Sequence, residues 1–281
     1  MSLYLQRQLD SPTGRKVNAS IPSKPQPASY NSELSGVNDN VLKQNISLSA
    51  LTSEGEKVAI IVPYRNRTEH LLRFLTRMLP FLGKQRNQYA IIVTEQAGNQ
   101  SFNRAKLFNI AVKEIRKSTP GDRMHGINCF IFHDVDKVPT SPSTAYECGQ
   151  NVRQLTTAFR SEYGTQWLYD SFMGAATALS WEHLEKTNGF SNIFFGWGGE
   201  DDDLALRLRL NNITVDRPSQ VDGIFDEFDT NHPRDMNPDR IVLSSSDNVA
   251  SRWRNDGINQ TRYELLSRID YDLFVWILVS L

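Results

Sequence analysis

The chain has 281 residues, of which 39% are hydrophobic, so it is long enough to bury a sizeable core in one large domain or two small ones. Its formal net charge of −1 offers no electrostatic attraction to nucleic acid or to an anionic membrane. No run reaches the ~18 apolar residues that cross a bilayer; the run at 273–279 is too short and predicts a buried terminal strand. Residues 1–10 lack the apolar core of a signal peptide, so a secretory form is expected to have its targeting segment outside this chain.

Residues 1–56 differ in composition from the rest of the chain. They are rich in Ser, Asn, Pro and Gln and lack apolar periodicity, so they cannot bury enough surface to offset the entropy lost on ordering. We predict that they form a tail or stalk. Glycosylation sequons, which are typical of lumenal proteins, include those that begin at Asn18, Asn45, Asn99, Asn212 and Asn259.

Strands and helices are predicted to alternate after the tail. The continuous apolar run 58–63 ends at a proline and is typical of a fully buried strand in a parallel sheet. Helical spacing of apolar residues predicts a helix over 68–81, and a second buried strand follows at 89–94. A second helix is predicted over 102–115 and a third strand over 129–133. This short spacing predicts a Rossmann-like α/β sheet.

Charged residues follow the predicted strands, where α/β sheets bind ligands. Arg65 and Arg67 follow the first strand, and Arg104 lies in the second predicted helix. Guanidinium groups bind phosphates through paired donors, although each arginine alone fits an ordinary surface position equally well. Asp134 and Asp136 follow the third strand, where two carboxylates can reach a divalent cation and a ribose, or simply occupy a turn. No Gly-rich phosphate loop is present, so metal and arginine are the expected phosphate ligands.

The stretch 194–203 combines aromatic residues, a Gly-Trp-Gly-Gly segment and four consecutive acids. The acids fit the first turn of a helix, because negative charge is favourable at a helix N-terminus. The composition of 204–210 favours that helix, although its alternating pattern also fits a strand. A solvated helix start is therefore one interpretation of the acids. Glycine suits bending backbone, so the tryptophan between glycines indicates a sugar-binding face or a moving loop.

Histidines and cysteines supply the remaining candidate ligands. We choose His232, in a polar stretch that contains proline, as a metal ligand, since His70 and His183 fall at helical positions. Cys129 and Cys148 fit either buried thiols or one disulfide.

Five segments resemble, in order, the successive motifs of the animal β-1,4-galactosyltransferase family, which includes β-1,4-N-acetylgalactosaminyltransferases. The matching segments are 57–67, 96–98, 102–107, 134–136 and 196–203. The resemblance implies an α/β GT-A glycosyltransferase fold, a Rossmann-like mixed sheet with helices on both faces, in a single catalytic domain at 57–281. It also implies a disulfide between Cys129 and Cys148. Family members are type II Golgi membrane proteins, so 1–56 would be a stalk remnant, the anchor would be missing from this chain, and the domain would lie in the Golgi lumen.

The activity implied by the resemblance is inverting transfer from UDP-Gal or UDP-GalNAc to the 4-hydroxyl of a terminal β-GlcNAc on a glycoprotein or glycolipid glycan. The metal would be Mn²⁺, held by Asp136 and His232. Asp229 stands where members usually have methionine, three residues before the metal histidine; as a harder ligand it makes Mg²⁺ an alternative. Asp201 would be the general base, with Glu200 beside it.

The resemblance assigns further residues to donor and acceptor. Those expected at the UDP-sugar are Pro63, Arg65, Arg67, Phe102, Arg104, Asp134, Val135, Asp136, Trp197 and Ser171. Those expected at the acceptor are Gly199, Asp201, Asp202 and Arg240. Galactose-selective members carry a tyrosine at the position matched to Ser171, so a serine would leave room for an N-acetyl group unless Met173 refills the space.

Two other functions fit the same residues. A catalytically inactive relative would bind UDP or sugar as a scaffold, which the unusual Asp229 and a short following loop would favour. A cytosolic nucleotide-binding α/β protein would instead keep Cys129 and Cys148 as free thiols. No nucleic-acid partner is expected.

Overall fold

The computed structural model describes residues 55–230 and 234–281. The predicted tail, apart from residues 55 and 56, lies outside the described residues, and so does the predicted metal ligand His232. The larger sheet contains β1 (Lys57–Tyr64), β2 (Gln88–Gln96), β3 (Cys129–His133), β5 (Val152–Gln154), β8 (Ala176–Ser180), β9 (Val215–Asp216), β11 (Glu264–Asp270) and β12 (Val275–Ser280). The smaller sheet contains β4 (Lys137–Pro139), β6 (Ala158–Ser161), β7 (Gly164–Trp167) and β10 (Ile224–Glu227).

The helices are α1 (Thr68–Leu82), α2 (Arg104–Lys117), α3 (Trp181–Thr187), α4 (Glu200–Leu210), α5 (Arg240–Leu243) and α6 (Ser246–Arg252). Two single-turn 3₁₀ helices follow, at Trp253–Asn255 and Ile258–Gln260. Among the helices of residues 55–230 and 234–281, none is both long and apolar enough to cross a membrane.

The centre of the larger sheet confirms the three predicted strands. Strand β1 pairs in parallel with β2 on one side and with β3 on the other. The full order is β11-β12-β2-β1-β3-β8-β5-β9, in which β8 runs antiparallel to β3 and β12 runs parallel to β2. Strand β12 is the predicted terminal strand, and it lies inside the sheet because β11 covers its outer edge.

Helices cover both faces of the sheet, as the GT-A fold requires. Alternate residues of a strand point to opposite faces. Val58, Ile60 and Val62 therefore pack with α1, whereas Ala59 and Ile61 pack with α2. All five side chains are fully buried, and each buried aliphatic residue of Val or Ile size contributes about 1.5–3 kcal/mol.

Local signals set the helix boundaries. Helix α1 spans the predicted 68–81 with one further residue. Helix α2 begins two residues later than predicted, because the Asn103 side chain caps it by accepting a hydrogen bond from the Lys106 N–H. The stretch 204–210 is helical, so the alternative of a strand there is wrong.

The structure joins Cys129 to Cys148 in a disulfide, with their Cα atoms 5.6 Å apart. This pairing is the one implied by the resemblance. Neither cysteine is free, so the interpretation as buried thiols is wrong. Free thiols would have favoured a cytosolic protein, and that support is therefore removed.

Candidate active site

Charged residues from three separate segments meet near the end of β3. Arg104, the first residue of α2, is the centre of this group. Its Nε lies 2.7 Å from Asp134 Oδ1, and its Nη1 lies 2.8 Å from Asp201 Oδ1 and 3.5 Å from Glu200 Oε1. Burial alone would lower the pKa of Arg104, but the three carboxylates raise it above its ordinary value. One guanidinium therefore aligns the acids at the start of α4 with the acid that follows β3.

Lys137 is a second buried cation, which the sequence interpretation missed. Its Nζ lies 2.9 Å from Asp136 Oδ1, 3.4 Å from Glu227 Oε1 and 3.7 Å from Asp134 Oδ2. Burial would raise the pKa of Asp136, yet Lys137 and Arg67 together hold that pKa below its ordinary range. Asp136 is therefore a carboxylate at neutral pH. A lysine directly after Asp-Val-Asp was the available signal.

Two of the three predicted metal ligands come together. Arg67 Nη2 lies 3.0 Å from Asp136 Oδ2 and 2.5 Å from Asp229 Oδ2, so both carboxylates converge on one positively charged nitrogen. His70 Nε2 also lies 2.9 Å from Asp229 Oδ2. Across residues 55–230 and 234–281, no group of three or more His, Cys, Asp or Glu side chains is placed to hold a metal. The pair itself fits a hard divalent cation, since two oxygen donors already face one cationic group.

The first two acids of α4 occupy a mostly buried position. Burial raises the pKa of Glu200 to about 7, and the Asp201 charge adds to this effect while Arg104 opposes it. Burial also raises the pKa of Asp201, again opposed by Arg104. Among the described residues, the buried Oε2 of Glu200 has no hydrogen-bond partner. This orphaned oxygen can accept a hydrogen bond from a bound hydroxyl group.

Close backbone approaches make room for these acids. Gly199 caps α4 with a φ of 95°, a left-handed conformation that glycine adopts readily. A Cβ at Gly174 would overlap the Asp201 carboxylate and the ring of Phe172. Glycine at 174 is therefore what allows Asp201 to lie against the loop that precedes β8.

The last two acids of α4 have other partners. Asp202 Oδ1 accepts a hydrogen bond from the exposed Tyr169 hydroxyl at 2.9 Å. Asp203 is fully buried, lies 2.5 Å from Arg207 Nε, and also contacts Arg252. The interpretation of the whole run as a solvated helix start is thus wrong, because Asp203 and Glu200 are buried.

Trp197 lies between two glycines in the loop that leads into α4. Gly196 and Gly198, on either side, have φ values of 86° and 105°. The Trp197 side chain is 45% exposed, and the guanidinium carbons of Arg234 and Arg240 lie 4.6 and 5.4 Å from its ring centroids. The predicted acceptor residue Arg240 therefore contacts the predicted donor residue Trp197.

Several of the residues predicted to contact the nucleotide lie close together in the sequence or the structure. Arg65 Nη1 donates to the Gln100 carbonyl at 2.5 Å, and its guanidinium carbon lies 5.3 Å from the Phe102 ring centroid. Pro63 and Val135 are buried at the ends of β1 and β3. These residues lie near the ends of β1 and β3 and the start of α2, the same segments that carry Arg104 and Asp134.

Ser171, which the resemblance places at the donor, lies between β7 and β8, and its contact with a donor stays a prediction. Its side chain is exposed, whereas Phe172, one residue later, has the ring nearest to Gly174 beside the Asp201 carboxylate. Met173 is buried in the core, where it packs with α2 and α4. The Phe172 ring therefore lies close to the Asp201 carboxylate, a neighbour that the sequence analysis did not name.

Two solved structures that resemble this one are of a glycosyltransferase. A Drosophila β-1,4-galactosyltransferase 7 in complex with xylobiose has a TM-score of 0.64 and 25% identity, covering 80% of this chain and 94% of that one. A variant of that protein in complex with manganese, UDP-Gal and xylobiose has a TM-score of 0.68 and 24% identity, with the same coverage. The protein has the GT-A glycosyltransferase fold.

Sequence comparison identifies the family. The model for the N-terminal region of glycosyl transferase group 7 matches residues 34–149, and a model described as the N-terminal domain of galactosyltransferase matches 154–232. Human β-1,4-galactosyltransferase 4 is 40% identical over 229 residues, which are 80% of this chain and 63% of that relative. Mouse β-1,4-galactosyltransferase 1 is 37% identical over 230 residues, 80% of this chain and 55% of the relative. The chain belongs to the β-1,4-galactosyltransferase family, and it spans somewhat more than half the length of these relatives.

Proposed function

We propose that the protein is a metal-dependent inverting glycosyltransferase that moves galactose or N-acetylgalactosamine from a UDP-sugar to the 4-hydroxyl of a terminal β-GlcNAc. The observation that carries this proposal is the position of Arg104, which holds Asp201 and Glu200 against Asp134 at the carboxyl edge of the sheet. The manganese and UDP-Gal bound by the related Drosophila protein support the donor class.

Asp201 is the general base in this proposal. Arg104 Nη1 lies 2.8 Å from Asp201 Oδ1 and fixes the orientation of the Asp201 carboxylate. Burial raises the pKa of Asp201, which makes this carboxylate a better proton acceptor near neutral pH. A different hydroxyl of the acceptor sugar donates a hydrogen bond to Glu200 Oε2, the buried oxygen without a partner among the described residues, which leaves the proton of the 4-hydroxyl to Asp201.

The transfer is a single displacement. The acceptor oxygen attacks the anomeric carbon on the face opposite UDP, and Asp201 takes its proton as the new C–O bond forms. The bond from the anomeric carbon to the phosphate oxygen breaks, and UDP leaves with the electron pair. Arg65 and Arg67 donate hydrogen bonds to the diphosphate as its negative charge grows. One displacement inverts the configuration and gives a β-linkage from an α-linked donor.

Asp136 and Asp229 would hold the divalent cation, together with the predicted ligand His232. When bound, the metal supplies positive charge to the leaving diphosphate. Mn²⁺ is the expected ion, and the carboxylate of Asp229 makes Mg²⁺ the alternative. Lys137 keeps Asp136 ionised and therefore ready to bind a cation.

The donor is proposed as UDP-Gal or UDP-GalNAc. Ser171 stays the residue whose small side chain would leave room for an N-acetyl group at C2 of the donor, and the nearby Phe172 ring is a further candidate for contact with that group. The disulfide supports a lumenal address, because disulfides persist in oxidising compartments. We accordingly propose that residues 57–281 form a catalytic domain that lies in the Golgi lumen and acts on glycoprotein or glycolipid glycans.

A second candidate is a scaffold that binds UDP or sugar without turnover. It is favoured by one contact, the Arg67 guanidinium that lies between Asp136 and Asp229. If that cation permanently replaces the metal, the leaving diphosphate would lack the charge that the reaction needs.

A donor comparison distinguishes the candidates. Purified protein with Mn²⁺ and a β-GlcNAc acceptor is given UDP-Gal or UDP-GalNAc, with chelator in a parallel arm. We expect transfer from at least one donor, loss of it with chelator, and a fall of about 10²–10⁴-fold in Asp201→Asn. Asp247→Asn, an exposed acid on α6, is the matched control and should keep full activity. UDP binding with no transfer from either donor would favour the scaffold.

A further inference from the structure

The described part of the chain contains several glycosylation sequons. Residues 55–230 and 234–281 contain four of them, which begin at Asn66, Asn99, Asn212 and Asn259. All four asparagine side chains are exposed. An asparagine that carries a glycan must be exposed in the folded protein. Because all four are exposed, their surroundings decide which of them can be glycosylated.

Two of these sequons lie at the proposed donor site. Asn66 stands between Arg65 and Arg67, and Asn99 stands between the two carbonyls that face Arg65 Nη1. A glycan on either asparagine would cover the entrance to the nucleotide residues. A glycosylated enzyme that keeps its activity must therefore carry its glycans elsewhere.

Asn259 lies on a different part of the molecule, in the 3₁₀ helix Ile258–Gln260. Its backbone N–H donates to Asn188 Oδ1 at 3.1 Å, which fixes the backbone against the end of α3. The Asn259 side-chain amide itself makes no hydrogen bond to the described residues. The backbone of Asn259 is therefore held in place, while its side-chain amide is accessible for modification.

The third residue of this sequon, Thr261, is buried. Its side chain is 4% exposed, and the hydroxyl lies 2.8 Å from Asn192 Oδ1 and 2.8 Å from the Gly257 carbonyl. An enzyme that reads the sequon must reach the threonine hydroxyl, so modification of Asn259 has to precede folding of this segment.

A cavity of about 290 Å³ opens beside Asn259. It is lined by Trp181, Leu184, Glu185, Asn188, Ile258 and Asn259. An indole ring suits the C–H face of a pyranose, and the carboxylate and amide suit its hydroxyl and acetamido groups. Ligand clefts begin near this volume, at roughly 300 Å³. The cavity thus has the size and lining of a site for one sugar residue.

We propose that Asn259 is N-glycosylated and that the first GlcNAc of its glycan packs against Trp181 in the adjoining cavity. The proposal rests on the lumenal address in the proposed function. In the transfer, Asn259 Nδ2 forms a bond to the anomeric carbon of a lipid-linked oligosaccharide and loses one proton. The bond from that carbon to the lipid pyrophosphate breaks, and the lipid pyrophosphate leaves with the electron pair.

Site occupancy is the first test. The chain is secreted from animal cells behind a cleavable secretion signal, so it enters the lumen whatever its natural address. We expect the peptide with Asn259 to carry a glycan by mass spectrometry, Asn259→Gln to lose one glycan, and Thr261→Ser, which keeps the hydroxyl, to retain it. An unmodified Asn259 in secreted protein would overturn the proposal.

Protection of the glycan tests the cavity. Under native conditions, an endoglycosidase should release the Asn259 glycan several-fold more slowly than from denatured protein, and Trp181→Ala should abolish that difference with occupancy unchanged. Equal release rates from native and denatured wild-type protein would refute packing in the cavity. Transferase activity is measured on the same samples. An inactive but glycosylated protein would refute the proposed function alone, and an active protein without a glycan at Asn259 would refute this inference alone.

Discussion

Substituting Asp203 with asparagine is expected to cost the protein a large part of its stability. Asp203 is fully buried and faces two arginines, Arg207 and Arg252, of which the first is itself fully buried. Both arginines also lie 3.3 Å from Asp256 Oδ2, so the cluster holds two positive and two negative charges. Asparagine has nearly the same shape but leaves a net positive charge inside the protein.

The expected loss follows from that uncompensated charge. Breaking one partner of a buried ion pair costs about 3–5 kcal/mol, against total stabilities of roughly 5–15 kcal/mol for a domain. The equilibrium constant for folding should therefore decrease by two to four powers of ten, since each ~1.4 kcal/mol is a factor of ten. Urea unfolding followed by tryptophan fluorescence measures the change, with a lower midpoint and an unchanged m-value.

Asp202→Asn is the matched control, because Asp202 belongs to the same helical turn, but its side chain accepts a hydrogen bond from the exposed Tyr169 hydroxyl and lies outside the buried cluster. We expect its stability to change by less than about 1 kcal/mol. If Asp203→Asn were as stable as this control, the buried cluster would not act as a charge-balanced unit and the reasoning would be refuted.

Three further predictions concern protonation and the disulfide. Because the base must be ionised, transfer should fall as pH drops through the raised pKa of Asp201; an acid limb in the pH–kcat profile at or below the ordinary aspartate pKa would contradict this. Glu200 keeps its proton in the folded state up to a pKa of about 7, so its stabilising contribution is present below the unfolded pKa and is lost as pH rises towards 7. Glu200→Gln should flatten this dependence in urea midpoints between pH 5 and 8, and an unaltered slope would count against it. Replacing Cys129 and Cys148 together by alanine should cost about 3 kcal/mol by urea unfolding, because the closed loop spans a separation of 19 residues, and reduction of the wild type should match it.

The central strands could be predicted because their burial is visible in composition. Strand β1 is buried on both faces, so its sequence is a continuous apolar run, and such a run is typical of a central strand in a parallel sheet. The smaller sheet could not be predicted in this way. Strand β7 is exposed throughout, and β10 finds its partners in β4 and β6, at positions far away in the chain. Short, exposed strands depend on such long-range pairing and leave little local pattern.

The candidate site shows the same division between local and long-range signals. The motif residues around Asp134 and Arg104 could be named from the sequence, but their partners could not. Successive helical residues point about 100° apart, so the four acids of α4 face different surroundings although they are chemically alike in the sequence. The buried role of Asp203 and the contact of Lys137 with Asp136 appear only when separate segments meet.

The position of β12 in the sheet has a consequence for synthesis. Trp276 of β12 donates a hydrogen bond to Glu95 of β2 across a separation of 181 residues. At ribosomal rates of about 5–20 residues per second, β2 is made roughly 10–35 seconds before the strand that must lie beside it. Throughout that interval the nascent chain presents an apolar strand with an unpaired edge, which is a template for wrong association. Premature termination before Val275 should therefore yield an aggregating fragment that chaperones must hold, and not a shorter folded protein.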